Sequence, residues 1–178
     1  MKKFKSWFSS SMMSAVLLAV ALAASFAVVP QARAGALSDY LENKLTDYVF
    51  RGQAYTAPTT IYVALFTSAC SDSAIGTEVS GGSYARPGLA ASLTNWAGTQ
   101  SAGSTTASSG TGGTTSNNVA INFATPSAGW GTVTYIGLMD AVTSGNMLVC
   151  TALTVGKTIN TGDTVSFPAA SLTNQIDN

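Results

Sequence analysis

The spacing of apolar residues changes several times along this chain, and each change marks a different kind of element. Residues 12–29 run without a charge. Residues 35–51 then place Leu37, Leu41, Leu45, Tyr48 and Val49 at steps of three and four, opposite Asp39, Glu42, Asn43, Lys44 and Asp47. That spacing predicts one amphipathic helix, with Ser38 or Asp39 to cap its start and Gly52 to close its end. Its stripe suits packing on a sheet, or association with another subunit. Packing is the expectation, because a sheet follows directly and needs cover. Residues 60–67 are apolar on both faces, as in a strand buried on both sides. Residues 71–86 are rich in Ser, Gly and Asp, with a short strand at 78–80, and residues 89–96 form a weak strand. Residues 99–118 are low in complexity and bury too little apolar surface to offset the entropy of ordering, so a long disordered surface loop is expected there.

The last third alternates with a period of two. Strands are predicted at 119–123, 130–140, 147–153, 157–159, 164–167 and 172–176. Residues 143–146 close one hairpin and 161–163 another. The fold predicted is mainly β: an antiparallel sandwich or partly closed barrel with one N-terminal amphipathic helix. Its core is expected to include Ile61, Val63, Leu65, Val119, Ile121, Phe123, Val133, Tyr135, Val165 and Phe167.

The start of the chain changes how the rest is read. Lys2, Lys3 and Lys5 precede the uncharged run, Pro30 ends it, and Ala32-Arg33-Ala34 follows. A basic start, an apolar stretch and a small-x-small end are the parts of a secretory signal peptide. Residues 1–34 are therefore expected to be removed by cleavage between Ala34 and Gly35. The alternative is an uncleaved anchor, since 18 residues reach the lower edge of a membrane span, about 17–25 residues. Residues 35–178 then form a single β-rich domain.

Without the leader the neutral precursor becomes acidic. Four basic residues (Lys44, Arg51, Arg86, Lys157) stand against eight acidic ones, a formal balance of −4. There is no basic patch for a polyanion, and nucleic acid is not expected as a partner. Ser, Thr, Asn and Gly must supply most of the surface. Two cysteines remain, Cys70 and Cys150. An oxidising compartment favours a bridge between them. The alternative is a pair of small buried hydrophobic side chains.

Catalytic signals are sparse. The chain has no histidine, which excludes the Ser-His-Asp triad, the Cys-His dyad and every His-ligated zinc site. Gly110, Gly112 and Gly113 precede no helix pattern and no Lys, unlike a phosphate loop. Asp140 and Asp163 fall at strand ends, where Asp is an ordinary turn former. The spacing of Asp72, Glu78 and Asp140 matches no calcium loop. No catalytic, cofactor or metal residue is assigned. Trp96, Trp130 and Tyr135 are candidates for stacking on a sugar ring, although aromatics in such positions more often belong to a core.

Five stretches in order carry a resemblance: residues 37–45, 62–67, 76–86 (Gly-Thr-Glu-Val-Ser-Gly-Gly-Ser-Tyr-Ala-Arg), 130–140 and 157–168. Together they resemble small tailed-phage tail fibre and virion structural proteins over nearly all of the chain after the leader. The resemblance implies a structural subunit that assembles with copies of itself or with other virion and tail proteins, without catalysis. Two features depart from it. The polar stretch at 101–116 resembles an insertion. The leader does not suit virions assembled in the cytoplasm. Either a phage gene carries an export signal, or a host has adopted the domain as a secreted filament or surface-adhesion subunit. Export to the periplasm, cell surface or medium is the expected location, with the virion tail as the alternative. A carbohydrate-binding module for cell-surface glycan is a further alternative.

Overall fold

The computed structural model describes residues 37–176. The expected leader and the expected cut between Ala34 and Gly35 lie outside the described residues. Among these, the chain forms one helix, α1 (Asp39–Phe50), and eight strands: β1 (Thr60–Phe66), β2 (Gly88–Ala90), β3 (Thr114–Ser116), β4 (Ile121–Asn122), β5 (Gly131–Met139), β6 (Met147–Ile159), β7 (Ser166–Phe167) and β8 (Thr173–Gln175). All pairings are antiparallel. A four-stranded sheet runs β2-β1-β5-β6, and β3–β8 and β4–β7 form two-stranded ribbons. The fold is mainly β and sandwich-like, without a closed barrel.

β1 explains why the sheet is covered twice. Its side chains alternate between two apolar clusters, and Val63, Ala64, Leu65 and Phe66 are all 0–1% exposed. Val63 and Leu65 join Ile121, Phe123, Val133, Phe167 and Leu172, which places the β4–β7 ribbon over one face. Ala64 and Phe66 join Met139, Met147 and Cys150, with Cys70 packed beside them. Gly137 lies opposite Ala64. A Cβ there would come within 2.6 Å of the Phe66 ring, so glycine lets that ring lie flat on the sheet.

α1 starts where the sequence indicates. The Ser38 hydroxyl accepts from the Leu41 N–H at 3.3 Å and donates to the Met147 carbonyl. Asp39 and Glu42 sit in the first turn, where the helix dipole favours acids. Gly52, at φ 66°, ends the helix. Only the start packs on the body, through Leu37, Tyr40 and Leu41. No residue of α1 is buried, and the last turn holds Tyr48, Val49 and Phe50 in the open at 57, 63 and 82% exposure. The expected packing on the sheet therefore applies to the beginning of the helix alone.

Several strand assignments are corrected. Residues 157–159 are not a separate strand paired with 164–167. β6 runs on to Ile159 because β5 is nine residues long and its first residues need partners: Gly131 pairs with Ile159 and Val133 with Lys157. β7 pairs instead with β4, Ile121 facing Phe167. The strand expected at 89–96 is limited to Gly88–Ala90, since a turn follows in which the Trp96 N–H donates to the Ser92 carbonyl. The polar stretch at 99–118 contains β3, paired with β8 through Thr115 and Asn174. Val119 is 38% exposed and outside the core. The chain bends there, and alternation begins only at Ile121. Ile61, Tyr135 and Val165 are half-buried.

Candidate functional site

The polar residues of the 76–86 stretch form a brace. Glu78 accepts from the Tyr84 hydroxyl at 2.8 Å and from two nitrogens of Arg86 at 2.7 and 2.6 Å. The remaining Arg86 nitrogen donates to the Ala141 and Ser144 carbonyls, both at 2.8 Å. The Tyr84 hydroxyl in turn accepts from the Leu65 N–H at 3.0 Å. One guanidinium, 7% exposed as a residue, thus fixes the β5–β6 turn, and through Glu78 and Tyr84 it holds β1. Burial above all pushes the Tyr84 phenol well above its ordinary range, and the nearby Glu78 carboxylate adds to this. Such a phenol donates steadily and does not act as a base. The brace is a fully bonded structural unit with no free nucleophile.

Four other acids serve turns or an exposed pair. Asp140 accepts from the backbone and side-chain nitrogens of Asn146 at 2.6 and 2.8 Å. Asp163 accepts from the Asn160 N–H and Asp72 from the Ser73 N–H, both at 2.8 Å. Asp47 pairs with Arg51 at 2.9 Å on the surface of α1. Among the described residues, no three His, Cys, Asp or Glu side chains gather where they could hold a metal ion.

The three aromatic candidates separate. Trp130 is 5% exposed. Its indole N–H donates to the Gly82 carbonyl at 2.9 Å, and the Tyr84 and Phe123 rings lie against it at centroid distances of 5.3 and 6.1 Å. It is a core residue with no open face for a sugar. Tyr135 is half-buried on the opposite cluster, beside Phe66. Trp96 is half-buried against the main core, and its indole N–H has no hydrogen-bond partner. The three do not form one platform.

Cys70 and Cys150 are joined as a disulfide, with Cα atoms 6.0 Å apart and a separation of 80 positions in sequence. The bridge holds the loop after β1 against the second face of the sheet.

Among the described residues, two apolar features stand out on the surface besides the scattered side chains of Ile75, Leu93, Val142 and Ile176. One is the exposed end of α1. The other is a groove of about 470 Å³ between β6 and β7. The buried Leu65, Val133 and Phe167 line it together with Leu153, Val155 and Val165, and Lys157 and Asp163 are the charged residues of its lining. Its origin is a bulge. Val133 pairs with Lys157 and Tyr135 with Ala152, so four residues of β6 span the space of one in β5. Periodicity gave no sign of this, because the pattern of residues 153–156 reads as a break between strands.

A family model described as "Podophage GP4 fiber I protein gp80" matches residues 36–175. The chain belongs to that family. No curated protein matches it. The span matched to this phage fibre family includes the brace, the bridge, the groove and all of α1. No helix among the described residues is long and apolar enough to cross a membrane.

One residue important to the fibre domain escaped sequence reasoning altogether. Asn117 is 0% exposed. Its amide donates to the Val119, Phe167 and Pro168 carbonyls and accepts from the Leu172 N–H at 2.9 Å. It ties the two ribbons together. An Asn at the end of a Ser/Thr/Gly run carries no signal that separates such a hub from surface.

Proposed function

We propose that this chain is a structural subunit of a phage tail fibre, working through surface contacts with copies of itself or with other virion proteins, and not through catalysis. The observation that carries the reading is the family match across residues 36–175. The geometry supports it. The polar clusters are spent on bracing and turns, while apolar groups stand open on α1 and in the groove. Mass spectrometry of purified particles from a producing culture tests the reading. The chain is expected in the particles at a fixed ratio to other tail proteins. Its absence from them would overturn the assignment.

A second reading has its own support. The Cys70–Cys150 bridge suits an oxidising compartment, as does the signal-peptide pattern of residues 1–34 with its cut between Ala34 and Gly35. These favour an exported form, as a host filament or surface-adhesion subunit. Intact mass of the native product separates the two. A chain starting at Gly35 in the periplasm or medium, free of particles, supports export. The full-length mass in particles supports the virion subunit.

A further inference from the structure

The exposed end of α1 and the groove match in size, polarity and charge. The knob is Val49 and Phe50, 63 and 82% exposed. The groove, at about 470 Å³, exceeds the roughly 150 Å³ that accepts a benzene ring in a protein interior. Phe50 with Val49 beside it therefore has room. An acid and a base, Asp47 and Arg51, flank the knob. A base and an acid, Lys157 and Asp163, flank the groove. Bringing the two together exchanges one surface ion pair for two across the contact.

The two features do not meet within one chain. α1 begins beside Leu148, whose carbonyl accepts from the Ser38 N–H at 3.0 Å. The apolar tip is at the other end of the helix, where Val49 and Phe50 stand exposed, and no residue of α1 lines the groove. Packing two α1 ends against each other fits less well. It would leave the apolar groove of both copies uncovered.

We propose that the α1 tip of one copy seats in the β6–β7 groove of the next. This rests on the self-assembly reading above and specifies its surfaces. The contact is heterologous, so it repeats into rings or open filaments and does not stop at dimers. Knob and groove alone are smaller than the roughly 1,000 Å² of a stable isolated interface. Single contacts are therefore weak, and the assembly depends on concentration.

Sedimentation velocity of the purified protein over a wide concentration range tests this. The native sequence is expected to grow past dimers. Phe50→Asp and Val155→Asp, both at exposed positions, are each expected to stay monomeric, with affinity weakened by about thirtyfold or more, as for a central contact residue. Mixed in equal amounts, the two variants are expected to form 1:1 dimers and nothing larger, because each retains the half that the other lacks. Matching circular dichroism spectra establish that both are folded, and Phe50→Ser and Val155→Ser replace either that is not. Assembly lost with Phe50→Asp but retained with Val155→Asp would point to helix-to-helix contact and overturn the proposal. Assembly unchanged in both variants would overturn it while leaving the structural-subunit reading in place. A native chain that stays monomeric throughout would overturn self-assembly as well.

Discussion

Two apolar clusters of similar composition have opposite fates in this molecule. Tyr84, Phe123 and Trp130 are packed ring against ring, and their polar atoms are engaged: the Tyr84 hydroxyl with Glu78 and Leu65, the Trp130 indole with Gly82. Tyr48, Val49 and Phe50 stand in solvent at the end of a helix whose first turn alone touches the body. The difference lies in what surrounds each set. Arg86 and Glu78 enclose the first, whereas the second extends beyond the part of α1 that the body covers. Buried aromatics with satisfied polar atoms hold a fold together. Exposed ones add little to stability and are open to contact from outside.

The largest effect should come from opening the enclosed cluster. Arg86→Ala leaves Glu78 without its cation beside a buried phenol and frees the Ala141 and Ser144 carbonyls. A loss of about 3–5 kcal/mol is expected, measured by urea unfolding. A loss below about 1 kcal/mol would mean that the brace is incidental.

The bridge comes next. Removing it with Cys70→Ala, paired with Cys150→Ala, frees a loop of 80 residues. The entropy model gives roughly 4 kcal/mol for a loop of that size, and typical values run from about 2 to 4 kcal/mol. Thermal unfolding of the double variant against the oxidised parent reads this. No change would mean that loop closure contributes nothing here.

Alkaline pH probes the same enclosed cluster more gently. The Tyr84 phenol is raised above its ordinary pKa, chiefly by burial. Below about pH 10 both the folded and the unfolded chain keep this proton. Above it the unfolded chain releases the proton while the folded chain holds it. The stability from Tyr84 is therefore whole below about pH 10 and lost as pH rises toward the folded value, by about 1.4 kcal/mol per pH unit. Tyr84→Phe should remove that part of the slope while lowering stability at neutral pH. An unchanged slope would contradict the assignment.

The smallest effect on stability belongs to the open cluster. Phe50→Ser should move unfolding by no more than about 0.5 kcal/mol, as expected of an exposed site. A loss above about 2 kcal/mol would show that the α1 end is packed in the folded protein.

Much of the enclosed half was legible in sequence. The apolar run of β1 and the period-two pattern of β5 and the start of β6 identified the central sheet. Ser38 and Gly52 marked the ends of α1. The rest depended on information that periodicity does not carry. β3 is a strand of Thr and Ser, held by its pairing with β8 and by the Thr115 hydroxyl donating to the Ala97 carbonyl, so no apolar alternation announces it. β6 continues through Val155 and Gly156 because β5 needs partners, a constraint set by the neighbouring strand. The groove follows from that bulge. The stripe of α1 was visible, but how far the body would cover it was not, since cover depends on where the sheet ends.

The open cluster is proposed to serve assembly, and the enclosed one folding. Light-scattering mass of the purified protein across a concentration series, for the native chain and for Phe50→Asp side by side, tests it most directly. The mass of the native chain is expected to climb with concentration and that of the variant to stay at one subunit, with both unfolding at the same urea concentration. Equal masses for the two at every concentration would contradict it.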